Sequence, residues 1–242
     1  DVVTPNSYVF DVFRVAGGKV HTHCHHGPVS DEVASNARDL KPFPPAAAGT
    51  DPTPEQAYMA PFRDVPPRAG SRNPRDIANE RLAGTAPDIL ETTWRYSRQP
   101  GPGSEMQMTG KPLTDAAPRR YTRLHLFDTA GARVFRADAI CYQWDYKYVC
   151  QMVRKDGGDK EIESAFVALH EPYVAEPYVA ERRSAPIENN DADARRAVAV
   201  EVKLKSGRAD LLFADGAPDK ARAVRAAFLG AEPVRVAGEF AF

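Results

Sequence analysis

With 242 residues, 32 Lys and Arg against 33 Asp and Glu and a formal net charge of −1, the chain lacks the basic excess of an electrostatic nucleic-acid binder. No apolar run approaches the roughly 20 residues that cross a bilayer, and the first residues show no charged-then-apolar leader pattern. The length suits one large all-β domain, or one domain carrying a long insertion.

The chain opens on YVFDVFRVAGGKVHTHCHHGP, residues 8–28, which holds four of the six histidines. Apolar residues alternate up to Val15, Gly17-Gly18 offers the φ > 0 turn of a two-residue hairpin, and alternation resumes from Lys19. The hairpin register would set Arg14 opposite His21, Val12 opposite His23, Asp11 opposite Cys24 and Phe10 opposite His25. His21, His23 and His25 then line one face, while Thr22, Cys24 and His26 line the other. In this register Asp11 lies diagonally from His26, where a carboxylate orients an imidazole, so Asp11 and His26 form a candidate structural pair.

Imidazoles at alternate strand positions stand about 7 Å apart, a spacing that suits two ligands of a metal completed from elsewhere. His21, His23 and His25 are thus candidate metal ligands, against the reading of a histidine-rich strand facing solvent or a groove. Cys24 is a poor nucleophile on this pattern, since its neighbours His23 and His25 point to the opposite face.

Residues 28–118 hold 15 of the 21 prolines with little alternation. They read as a long Pro/Gly-rich irregular insertion laid over the sheets, with short ordered pieces at 92–98 and 105–109. Trp94 is either a sugar-stacking platform or a plug pinning the insertion to the core.

From residue 119 strand signals dominate to the end. Segments 121–127, 132–139, 146–154 and 164–170 are β-rich and separated by turn residues, and 197–205 with 209–214 flank Ser206-Gly207 as a second hairpin. Residues 218–229 are the one helical candidate. The tandem EPYVAEPYVA, 171–180, reads as an edge segment where prolines stop strand pairing. Three cysteines fit no disulfide framework; Cys141 and Cys150 either bridge a hairpin or stand as free thiols. The expected fold is all-β, an antiparallel β-sandwich of layered sheets in one domain: hairpin 1–27, insertion 28–118, main strands 119–242. Both termini lie in strand-like sequence, as in a fragment cut at both ends.

Several segments, in order, resemble heparinase II/III-like polysaccharide lyases. Asp11, Arg14, Val15, Gly17, Gly18, His21, His26 and Gly27 match a D-x-x-R-V-x-G-G hairpin followed by a histidine and then His-Gly. ESAFVALHEPY at 163–173 and GRADLLF at 207–213 are similar to later family segments. The resemblance implies the C-terminal β-sandwich region of an enzyme that cleaves uronate-containing polysaccharide by β-elimination, its catalytic helical toroid lying outside this chain. It implies a periplasmic or extracellular setting, a polysaccharide partner and the helical domain as a second partner; the charge balance and the lack of a long apolar run add the expectation of no nucleic-acid and no membrane partner. It implies zinc in the full-length protein, held by a motif this chain lacks, so no cofactor and no catalytic residue is assigned here. Arg14, His26 and Trp94 are candidate polysaccharide contacts. The alternative is a non-catalytic glycan-binding or surface β-sandwich module.

Overall fold

The computed structural model describes residues 6–59, 81–96, 118–141, 146–230 and 232–241. In chain order these form β1 (Val9–Ala16), β2 (Val20–Ser35), β3 (Arg38–Pro42), α1 (Pro54–Met59), β4 (Arg81–Thr85), β5 (Leu90–Tyr96), β6 (Arg120–Phe127), β7 (Arg133–Cys141), β8 (Tyr146–Asp156), β9 (Glu163–Val174), β10 (Val179–Ser184), β11 (Ile187–Glu188), β12 (Val198–Leu204), β13 (Ala209–Ala214), β14 (Arg222–Val224), β15 (Val234–Val236) and β16 (Phe240–Ala241). The fold is all-β and its strand pairs are antiparallel, as the alternating patterns predict.

Nine strands form one sheet in the order β1-β9-β6-β5-β2-β8-β7-β4-β3. It folds over at β2, whose first half pairs with β8 and whose second half, from Ser30, pairs with β5. The changeover falls at Gly27-Pro28, where proline cannot donate to a ladder and the register shifts. The two halves close on a core of Leu90, Trp94, Leu124, Leu126, Val134, Val149, Val153 and Ala168. A four-stranded sheet, β10-β12-β13-β16, packs on the other face of β9 and β6 through Phe127, Val167, Leu169, Val200, Val202 and Leu212. The opposite face of that sheet carries the small sheet β11-β14-β15 over Ala199, Leu211, Phe213, Val224 and Val236. Strand β12 is therefore covered on both faces, which is why VAVEVKL is nearly continuous in apolar residues.

Four expectations need correction. Gly17 and Gly18 do adopt φ of 80° and 81°, but they connect an arch rather than a hairpin: β1 pairs with β9, Asp11 standing opposite Ala168, and β2 pairs with β8. Residues 28–118 are not wholly an excursion, because the second half of β2 and strands β3, β4 and β5 are ladder members; 105–109 lies outside the described residues. Segment 218–229 contains strand β14 rather than a helix, since burying Val224 and Ala226 between sheets overrides the helix propensity of its alanines. The EPYVA repeat does lie at sheet edges, with Pro172 opposite Thr122 beyond the end of β1 and β10 at the edge of the four-stranded sheet, but it is not all surface: it crosses between layers, closing β9 and opening β10, and Glu171 is fully buried.

Candidate functional site

The strand alternation of β2 holds even though its partner is different. His23 and His25 lie opposite Val153 and Gln151 and face the interior over β9, whereas Cys24 and His26 lie opposite Met152 and Cys150 on the outer face. His21 is spent structurally: its Nε2 bonds the Gly17 carbonyl at 2.6 Å and its Nδ1 the Ser164 hydroxyl at 2.9 Å. A carbonyl only accepts, so Nε2 carries the proton and Nδ1 accepts from Ser164.

His23 and His25 instead meet His170, a residue the hairpin reading could not place. The His25 ring centroid is 5.1 Å from His170 and 5.2 Å from Trp94, and His23 is 5.4 Å from Phe166. Burial, then His170, His23 and His26, push His25 down to about 4. His23 is lowered by burial and by His170 against an opposing pull from Asp11, and His170 by burial and His125 against the same Asp11. Neutral imidazoles can ligate metals, but among the described residues no group of three or more His, Cys, Asp or Glu side chains is placed to hold an ion. The set His21, His23 and His25 is thus not brought together as a centre among the described residues, His21 being held by Gly17 and Ser164.

His25 gives a pH prediction. Its folded value lies below its ordinary 6.5, so the unfolded chain binds the extra proton. Stability is unaffected above pH 6.5 and falls as the pH drops towards 4, by about 3 kcal/mol at most for this group. Urea unfolding of the wild type and His25→Gln at pH 7.5 and 4.5 should show a flatter dependence in the variant; equal slopes would refute it.

The remaining candidates separate. Asp11 and His26 do not meet, since β1 and the first half of β2 belong to different halves of the folded sheet; His26 is exposed, its Nδ1 3.3 Å from the Gly27 carbonyl and its ring edge-on to Tyr148 at 5.6 Å. Arg14 bridges layers through backbone carbonyls, donating to Ala194, Arg196 and Ala214 at 3.0, 2.7 and 3.1 Å. Those bonds make it a fastener between layers. Trp94 is the plug: it is 0% exposed, and its indole N–H donates to the Val149 carbonyl at 3.0 Å. A ring with no exposed face cannot stack on a sugar, so the platform reading is corrected.

Cys150 stands opposite Ala137, not Cys141, and is a free thiol, as is Cys24. Burial, with Cys24 and Asp138 adding, raises Cys150 to about 11, which keeps it an unreactive thiol at neutral pH.

The densest polar cluster lies on the opposite face of β6 and β9, against β10. Glu171 is fully buried; its Oε1 accepts from the Tyr178 and Val179 amides at 2.7 and 2.8 Å, and its Oε2 lies 2.7 Å from Arg123 Nε and 2.6 Å from Nη2. His125, also fully buried, stands between carboxylates, its Nε2 3.2 Å from Glu171 and its Nδ1 3.3 Å from Glu91. The Nδ1 contact has ion-pair distance without hydrogen-bond alignment. Arg182 reaches Glu91 from β10. Burial alone would raise Glu91, but His125, Arg123 and Arg182 outweigh it and hold its carboxyl at about 2. The one sequence signal for this cluster was the polar pair inside TRLHLF, Arg123 and His125, two apart on a strand that otherwise reads as core.

Beyond the cluster, at the same end of the same face, Glu32, Arg95, Tyr121 and Tyr173 form a row across four neighbouring strands. Arg95 pairs with Glu32 at 3.0 Å, and the two tyrosine rings stack at 4.9 Å. No protein-family model and no curated protein matches this chain. Among the described residues no helix is long and apolar enough to cross a membrane.

Proposed function

We propose that the chain is the non-catalytic β-layer portion of a heparinase II/III-like lyase acting on uronate-containing polysaccharide in a periplasmic or extracellular setting. One observation carries this reading: four of the residues in the segments that bear the resemblance, Arg14, His21, Gly27 and Glu171, fasten strands and layers together. Arg14 ties β1 to the carbonyls around β12 and β13, His21 ties the arch to β9, Gly27 admits Trp94, and Glu171 of the ESAFVALHEPY segment joins β9 to β10. A shared set of fasteners supports a shared scaffold, with the chemistry left to the helical domain. In that chemistry a base removes the proton α to the uronate carboxylate, and an acid protonates the departing glycosidic oxygen.

The test is an absorbance assay for the unsaturated uronate product. The chain alone should leave heparin-like and alginate-like polymers intact, and a polypeptide that joins it to an upstream helical toroid should cleave one of them. Cleavage by the chain alone, or a gene whose start codon lies close to the codon for Asp1, would refute the reading.

The glycan-binding alternative draws support from the row Glu32, Arg95, Tyr121 and Tyr173, a polar and aromatic strip. It expects retardation of the chain in gels containing a uronate polymer, relieved by Tyr121→Ala. Equal migration with and without the polymer would count against it.

A further inference from the structure

The two halves of the large sheet do not end together. The half containing β9 runs one strand further, to β1, whereas the facing half stops at the first part of β2. That part of β2 lies over β9, as His21 on Ser164, His23 on Phe166 and His25 on His170 show. Strand β1 therefore forms a ledge with nothing above it among the described residues. Val9 and Phe13 on its inner face are 60% and 52% exposed. Between them Asp11 is exposed and makes no hydrogen bond or ion pair among the described residues. Alongside, residues 20–26 of β2 pair with β8 on one side and with no described strand on the other.

An unpaired edge beside an uncovered apolar ledge is a template for strand addition. Neighbouring strands lie about 4.8 Å apart, so the space over β1 is one strand wide. A second copy does not fit it. Joining β2 to β2 of another chain would place the two β9 strands one strand apart, with two β1 strands to accommodate between them.

We propose that the ledge receives a single extended strand of a partner polypeptide, paired to the free edge of β2, with two apolar side chains on Val9 and Phe13 and a basic one between them on Asp11. Successive inward side chains of a strand are about 7 Å apart, matching the two-residue spacing of Val9, Asp11 and Phe13. The lone carboxylate supplies the charge preference, and its field is felt at His23 and His170, whose protonated forms it favours. The groove rests on strand geometry and is independent of the lyase reading.

The probe is a capped heptapeptide, Thr-Val-Thr-Lys-Thr-Val-Thr, with a second version carrying glutamate in place of lysine. In hydrogen exchange followed by NMR, millimolar lysine peptide should slow at least tenfold those backbone amides of residues 20–26, every second one, that point away from β8 to the free edge, and the glutamate peptide should not. Asp11→Lys, an exposed position, should reverse that preference, and Phe13→Ser should weaken protection by either peptide. The proposal is overturned if neither peptide protects those amides, if both protect them equally, or if sedimentation-velocity ultracentrifugation shows a dimer in which those amides are already protected without peptide.

Discussion

Gly27→Ala is expected to destabilise the chain by about 3 kcal/mol or more, at the top of the range for overpacked cores. A Cβ at this position would lie 2.3 Å from Cγ and Cδ1 of Trp94 and 2.5 Å from Cδ2. The clash is with the root of the indole, not with a flexible tip. Trp94 is completely buried and held by Val149, so it cannot swing aside without losing that hydrogen bond and opening the core. The glycine is required by close approach rather than by backbone conformation, as its φ is not in the left-handed region. In a Trp94→Leu background the added methyl has room, so the cost of Gly27→Ala should fall by more than half. Urea midpoints of the four-variant cycle would measure this; additive costs would show that the contact does not set the requirement.

The arch beside Gly27 shows which parts of the fold the sequence carries. Alternation is a property of one strand, so the division of His23 and His25 from Cys24 and His26 was legible without knowing any partner. Pairing is a property of two strands, and Gly17-Gly18 between alternating segments serves an arch as well as a hairpin. The partner that decides is Ser164, 143 residues beyond His21. Composition misled in the same way at Trp94, where surrounding prolines mark a loop but one apolar strand, β5, runs through it with Leu90 and Trp94 at 0% exposure. From Arg120 onward turns and strands follow each other in short order, and local pattern was enough for β6 to β9, β12 and β13. The buried cluster was beyond reach because it needs the register of β6 on β9, which sets Arg123 opposite Glu171.

That cluster is where a single substitution should cost most. Glu171→Gln takes from the Arg123 guanidinium its buried carboxylate and leaves it only the more distant carboxylate of Glu91 at 3.5 Å, and breaking one partner of a buried ion pair costs about 3–5 kcal/mol. Glu171→Ala should cost more, because it also strips the acceptor from the Tyr178 and Val179 amides, on the order of 1–3 kcal/mol each where they stay buried. The exposed pair Lys203 and Glu181, 3.1 Å apart with side chains 45% and 54% exposed, provides the contrast, and Lys203→Ala should cost under about 1 kcal/mol. Urea unfolding at pH 7 should rank Glu171→Ala above Glu171→Gln above Lys203→Ala with unchanged m-values; a Glu171→Gln loss as small as that of Lys203→Ala would mean the cluster does not join the layers. The same residues act through pH. Burial would raise Glu171, but His125, the Val179 amide and Arg123 outweigh it and lower its carboxyl, while Glu91 sits at about 2. Both carboxyls lie below their ordinary 4.5, so their stabilisation is complete above that pH and is lost as the pH falls below it, towards 2 for Glu91. Acid unfolding should therefore proceed in two ranges, the histidine corner weakening between 6.5 and about 4 and the carboxylate cluster below 4.5. His25→Gln should flatten the first range only and Glu171→Gln the second only, since the two groups occupy opposite faces of β9.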